Sequence, residues 1–316
     1  MNYIFASGAI GVKTTELFKE NEYLTLQKAD KGDYFKTLRD LGYGFDHVAY
    51  YLDDVITNEL IKVKSQLLQV VPSPNIIRLW FLKYDLINIK LIIKNHYFLQ
   101  NQDIKFDQAA TISVDELKEA LINNNFDKVS DINTKLLRSI NEQVNNKMTS
   151  QQVSLLVDKI VYNYILDEAI RLGEAPFITY FKEYIDSRNL LTMYRAEKIN
   201  LNQNLLKEAL IDGGYVSIDT LLSIYQKLPL EQVEVLKLHY SKEVLEVIQT
   251  LNEHKDLSLL EKVSIKEILE KLVNYGYDTF SSGPVVNYLV KKEFEINNVR
   301  RLYFDKDIDL SKLLKY

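Results

Sequence analysis

One short signature, Asp/Glu-x-x-Asn-apolar, occurs three times in this chain and limits what the chain can fold into. It reads Asp85-Leu-Ile-Asn88-Ile89, then Asp186-Ser-Arg-Asn189-Leu190, then Glu295-Ile-Asn-Asn298-Val299. The three acids lie 101 and 109 residues apart. Pro74, Pro176 and Pro284 stand 11, 10 and 11 residues before them, and each opens an apolar run containing Tyr or Phe. Proline is tolerated in a first helical turn, where its missing N–H has no intrahelical partner to lose. Each proline therefore marks a helix start, with helices expected near 74–98, 175–200 and 283–303. A supersecondary unit copied at a fixed period implies a repeat architecture.

A second motif keeps step with the first. Ile112-Ser-Val-Asp115-Glu-Leu117 and Val216-Ser-Ile-Asp219-Thr-Leu221 share one pattern, 28 and 31 residues beyond their acids at the serine. After Glu295 the chain reaches only Asp309-Leu-Ser-Lys-Leu before Tyr316, so the third copy reads as shortened. Acid and Asn three apart share a helix face. Trp80, Phe81, Tyr84, Ile89, Phe181, Tyr184, Leu190, Phe294 and Val299 surround them. A polar pair in such a setting needs hydrogen-bond partners or costs stability. Each motif holds one acid beside an amide, whereas general acid–base work commonly sets two titratable groups together. The expected role of Asp85, Asn88, Asp186, Asn189, Glu295 and Asn298 is thus structural, and no catalytic residue is assigned.

The chain resembles the C subunit of V-type and A-type rotary ATPases, whose eukaryotic form is the d subunit. The triplicate acid–Asn motif carries the resemblance, together with Tyr275-Gly-Tyr-Asp-Thr-Phe280, Gly283-Pro-Val-Val-Asn-Tyr288 and Lys292-Glu-Phe-Glu295-Ile-Asn-Asn298-Val-Arg300. It covers essentially residues 1–316. The basic residue that the family places two after the last Asn is Arg300 here and Lys90 in the first copy, but Leu191 in the second. Ile87 precedes the first Asn, where Arg188 and Asn297 precede the others. The resemblance implies a single all-α domain of three pseudo-symmetric repeats forming a funnel. It implies a non-catalytic central-stalk rotor part, joining a shaft made of the D and F subunits to the membrane c-ring (proteolipid or K subunits). It further implies a peripheral position on the cytoplasmic face of the membrane, in proton or sodium transport linked to ATP hydrolysis or synthesis. Arg300 joins the structural candidates on this basis.

Composition agrees with long helices. Only 10 Gly and 5 Pro occur in 316 residues, too few for turn-rich sheets. A net charge of −5 opposes a broad nucleic-acid surface, whose affinity comes from Lys and Arg on phosphates. Without cysteine, disulfides and thiolate metal sites are excluded. The first ten residues lack a basic n-region and a long apolar h-region, so no signal peptide is expected. No apolar stretch approaches the roughly 20 residues a bilayer span requires.

Helical periodicity runs through Leu52 to Val70, through Val153 to Ile165 behind a Thr149/Gln152 capping box, and through Val263 to Val273. Ser113 and Glu116 form another capping box. Glu231 to Thr250 reads as one helix, despite a brief alternation at Val233 and Val235.

Gly8-Ala-Ile-Gly11-Val-Lys13-Thr14 lacks the adjacent Gly-Lys of a phosphate loop, and reads as a helix start. Asp305, Asp307 and Asp309 are spaced like a calcium loop. They lack its glycine and terminal glutamate, Leu310 and Tyr316 standing there, and they read as a solvated acidic connection. His47, His96, His239 and His254 show no paired zinc spacing. Neither metal nor cofactor is expected. The rival reading is a helical small-molecule-binding protein or enzyme that uses a central pocket.

Overall fold

The computed structural model describes residues 2–44, 51–99, 102, 104–254 and 257–315. His47 and Tyr316 lie outside them. Among the described residues the chain is all α, without a β-strand. In chain order the helices are α1 (Tyr3–Thr15), α2 (Glu20–Lys28), α3 (Tyr34–Asp40), α4 (Leu52–Val70) and α5 (Pro74–Tyr97). There follow α6 (Val114–Leu121), α7 (Asp131–Gln143), α8 (Ser150–Leu172), α9 (Ala175–Lys198) and α10 (Gln203–Ala209). The last are α11 (Ile218–Ile224), α12 (Pro229–Leu236), α13 (Lys242–His254), α14 (Leu257–Leu272) and α15 (Gly283–Phe304).

Of the longest helices among the described residues, α5, α9 and α15 each carry an acid–Asn pair, and α8 packs against α9. Pro74 is the first residue of α5, and Pro176 and Pro284 are second in α9 and α15. Side-chain caps set several other starts. Ser113 and Thr149 form reciprocal capping boxes with Glu116 and Gln152, so two orphan donors are satisfied at α6 and α8. The Glu22 carboxylate accepts from the Lys19 N–H at 2.8 Å at the start of α2. Gly173 closes α8 at φ 71°, a left-handed conformation that glycine adopts without steric cost.

Two sequence readings need correction. Glu231 to Thr250 is not one helix: α12 ends at Leu236 and α13 starts at Lys242. The break is fixed by tertiary contacts. The Glu267 carboxylate accepts from the Ser241 N–H at 3.2 Å and its hydroxyl at 3.1 Å, while the buried Tyr240 hydroxyl donates to the Asp186 carbonyl at 3.3 Å. Gly8 to Thr14 is not a helix start but the interior of α1. Asp305, Asp307 and Asp309 are exposed, as a solvated connection requires.

The chain divides into two compact units, Met1–Ile77 with Leu269–Tyr316, and Arg78–Ile268. In the first, α15 is packed against α1, α2 and the 3-10 turn Val273–Tyr277. Ile10, Leu26, Tyr34, Leu38, Leu67 and Phe294 are fully buried there. In the second, α8 and α9 form the main hairpin. Trp80 packs against Tyr180 with ring centroids 4.4 Å apart and planes tilted by 30°, and Lys83 covers the Trp80 ring at 3.8 Å. A further core collects Leu206, Leu210, Leu221, Leu236, Val244 and Leu260. Full burial of each large apolar side chain is worth roughly 1.5–3 kcal/mol, so these clusters hold the long helices in place.

Candidate functional site

Asp85, Asp186 and Glu295 are buried in the middle of α5, α9 and α15, and so are Asn88, Asn189 and Asn298. The helix period turns each acid and its amide to one side. Their partners are mainly backbone groups of connecting segments.

In the first clamp, Asp85 Oδ1 accepts from the Thr111 and Ile112 N–H groups at 2.8 and 2.7 Å, and Oδ2 from the Thr111 hydroxyl at 2.7 Å. Asn88 exchanges two bonds with Asp107, donating to its carbonyl at 2.9 Å and accepting from its N–H at 2.8 Å. The second clamp has the same pattern. Asp186 accepts from Tyr215 and Val216 N–H at 2.8 and 3.1 Å, while Asn189 exchanges bonds with Ile211 at 2.7 and 2.8 Å. In both, the residue after the last donor is the serine N-cap of the next helix, Ser113 of α6 or Ser217 of α11.

The third clamp corrects the expectation of a shortened copy. Asn298 exchanges bonds with Leu314, both at 2.8 Å, and also donates to the Tyr23 hydroxyl at 3.2 Å. The donor to Glu295, however, is the Phe18 N–H at 2.7 Å, 277 residues earlier. Phe18 precedes Lys19, the N-cap of α2, as Ile112 precedes Ser113 and Val216 precedes Ser217. Tyr23, five residues on, is buried like Leu117 and Leu221. Phe18 thus gives Glu295 a backbone N–H, as Ile112 and Val216 do for Asp85 and Asp186. The legible signal was an apolar residue, a helix cap and a second apolar residue five places on. Lys19 in place of serine hid it.

Two buried charges were not anticipated. Lys292 donates to Glu295 at 2.5 Å and to Glu59 of α4 at 2.8 Å, and the other Glu59 oxygen accepts from the Gly44 N–H at 2.6 Å. Burial pushes the Glu59 carboxyl up, but Lys292, Lys62 and the Gly44 N–H outweigh it and hold it below its ordinary value. Burial wins at Glu295, which is raised despite Lys292 and Phe18. Burial alone would depress Lys292; the two carboxylates raise it instead. Glu59 follows Ile56 by three and precedes Leu60 and Val63 on the apolar stripe of α4, and that position was the available clue.

Arg300 lies apart from this network. It pairs with Asp53 at 3.1 Å on the surface, a contact worth at most about 1 kcal/mol. Lys90 pairs with Asp158 at 2.5 Å, and Leu191 is buried with apolar neighbours.

Gly214 has a packing reason to be glycine. A Cβ built there would fall on the Asp186 carboxylate. Gly214→Ala is expected to push Asp186 off its two donors and to cost roughly 1–3 kcal/mol in urea unfolding. Gly8→Ala, where a Cβ meets nothing within 4 Å inside α1, serves as the comparison and should stabilise by up to about 1 kcal/mol.

Elsewhere an open cleft of about 820 Å³ in the second unit is lined by Lys159, Lys207, Glu208, Asp212 and Asp219 among others. Both signs of charge are mixed there, without the convergent polar groups in an apolar wall that mark a small-molecule site. Among the described residues no three His, Asp or Glu side chains converge as a metal site. Nor is any helix there long and apolar enough to cross a membrane.

Three buried clamps on long helices recur in a chain that matches the ATP synthase (C/AC39) subunit family over residues 6–306. The chain belongs to this family. It is 25% identical over 297 residues to the C subunit of the A-type ATP synthase of Archaeoglobus fulgidus, covering 87% of this chain and 80% of that one. It is 22% identical over 260 residues to the C subunit of the V-type sodium ATPase of Enterococcus hirae, covering 79% and 76%. Against the C subunit of the A-type ATP synthase of Thermococcus gammatolerans the identity is 28% over 148 residues, covering 46% of this chain and 40% of the relative. The match therefore spans less than half the length of that last protein.

Proposed function

We propose that this member of the C/AC39 family is a non-catalytic rotor part of an A/V-type ATPase. In this reading its body consists of three quasi-equivalent helical units forming a funnel, peripheral to the cytoplasmic face of the membrane. It couples a shaft made of the D and F subunits to the membrane c-ring, so that ATP turnover and proton or sodium movement are linked. The observation that carries the reading is the family match across residues 6–306.

The clamps support it physically. A torque-transmitting body must deform little, and close-packed interiors are stiff. Each clamp ties the centre of a long helix to a loop through charge-assisted or paired hydrogen bonds, which are stronger than ordinary ones. Buried acids engaged with backbone amides suit fixation of structure. The interfaces with shaft and ring should be large, on the order of 2,000 Å² or more if obligate.

Reconstitution tests the proposal. An assembly lacking this chain should retain ATP hydrolysis in the soluble head and lose ion transport, and adding the chain should restore transport. The isolated chain should show no nucleotide binding in calorimetry. Ion transport that persists without the chain, or micromolar ATP binding to the pure chain, would remove the rotor assignment.

A further inference from the structure

The second clamp encloses a reactive peptide bond. Glycine directly follows Asp or Asn once in this chain, at Asp212-Gly213. That pair lies between the two anchors of the clamp. Ile211 is held by Asn189 at 2.7 and 2.8 Å, and Tyr215 and Val216 by Asp186 at 2.8 and 3.1 Å. The backbone between the anchors has little room. Gly213 has φ 101°, a conformation that glycine adopts without steric cost. A Cβ built on Gly213 would fall 2.6 Å from Leu166 Cδ2, and one built on Gly214 would fall on the Asp186 carboxylate.

The bond is nevertheless open to attack by its own side chain. Asp212 and Gly213 are both exposed. They line the open cleft of about 820 Å³, so water reaches them and the Asp212 side chain has space to turn. Among the described residues the Asp212 carboxylate makes no hydrogen bond and the Gly213 N–H has no acceptor. Gly213 also has no side chain to shield its nitrogen. The first clamp is protected at the corresponding place. Its loop reads Asp107-Gln-Ala-Ala-Thr111, and the Asp107 carboxylate is engaged by the Ala109 N–H at 2.8 Å.

We propose that Asp212 is a site of spontaneous isoaspartate formation, and that the change opens the second clamp. The Gly213 nitrogen attacks Cγ of the protonated Asp212 carboxyl. The new N–Cγ bond closes a five-membered succinimide, and the carboxyl hydroxyl leaves as water with the amide proton. Water then opens the ring. Cleavage of the new N–Cγ bond restores aspartate. Cleavage of the original peptide C–N bond leaves the chain running through Cβ and Cγ. One water leaves and one enters, so mass is unchanged and no oxidant or cofactor takes part. The isoaspartyl backbone is longer by one carbon between Ile211 and Gly213. Both anchors are fixed to α9, three residues apart, and Leu166 and Asp186 leave no slack for the added atom. The bonds at Ile211, or those at Tyr215 and Val216, must then be given up.

The test uses the full chain, with Asp212→Glu as the control. Glutamate keeps the charge at an exposed position, so the fresh variant should melt like the fresh parent. Its ring closure would form six members and is far slower. After prolonged warming, trypsin releases residues 208–227 from both chains. The parent peptide should split into two species of equal mass. The new species should accept a methyl group from an isoaspartyl methyltransferase, and fragmentation should place the change at 212. The variant should give one species. The aged parent should also show a second unfolding transition, lower by about 2 °C or more. Its amplitude should follow the isoaspartyl fraction, and the aged variant should lack it. A parent peptide that stays single overturns the proposal, as does isoaspartate confined to Asp219 of the same peptide. Isoaspartate at 212 without the lower transition, or that transition in the aged variant too, overturns the opening of the clamp.

Discussion

Replacing Lys292 with Met is expected to be among the most damaging single changes in this chain, costing about 3–5 kcal/mol. The side chain is buried between Glu59 and Glu295, at 2.8 and 2.5 Å. Met fills a similar volume, so little of the loss comes from packing. What is lost is the one buried cation that holds both carboxylates. Left alone, they repel each other and lack water, and both pKa values rise in the folded variant. A folded carboxylate raised above its unfolded value binds a proton that the unfolded chain releases, so stability falls as pH rises through that interval. The variant should therefore be closest to the parent in mild acid, and fall further behind towards neutral pH. Urea unfolding at several pH values measures this. Adding Glu59→Gln should recover part of the loss by removing one of the stranded charges. A single variant that unfolds like the parent at neutral pH would show that the triad does not hold α4 to α15.

The second large effect is expected at the clamp amides. Asn189→Leu strands both the N–H and the carbonyl of Ile211, which Asn189 engages at 2.8 and 2.7 Å in a buried setting. Each stranded group costs roughly 1–3 kcal/mol, so a loss of about 2–6 kcal/mol is expected. Asn298→Leu should match it, because Leu314 is equally buried. Asn88→Leu should be milder, since its bonds to Asp107 are only partly buried and water can replace them. All three variants should still capture shaft and ring at low temperature. Melting curves beside capture assays decide the matter. Variants that melt like the parent yet lose a partner would make these residues contact sites instead of clamps.

The helical class was legible from the residues alone. Pro74, Pro176 and Pro284 punctuate the chain where long helices begin, and acid and amide three apart must share a face on any helix. Burial of the pairs followed from their apolar neighbours, and a buried polar pair must be bonded. Capping boxes at Ser113 and Thr149 were equally local, because their partners lie three residues away. All these readings depend on short separations, where backbone geometry alone brings groups together.

The tertiary structure decided what depends on distant partners. No local rule pairs Phe18 with Glu295 across 277 residues, so the third motif looked shortened when it was closed from the other end of the chain. Glu59 and Lys292 each interrupt an apolar stripe, and their pairing across 233 residues, with Glu295 and the Gly44 N–H, compensates both. The break between α12 and α13 has the same origin, since Glu267 reaches Ser241 across 26 residues. Sequence periodicity indicated the long helices and the faces they bury, but not the break between α12 and α13. Which loop satisfies which buried group was decided by packing, because hydrogen bonds and ion pairs act over a few ångströms whatever the chain length between their ends.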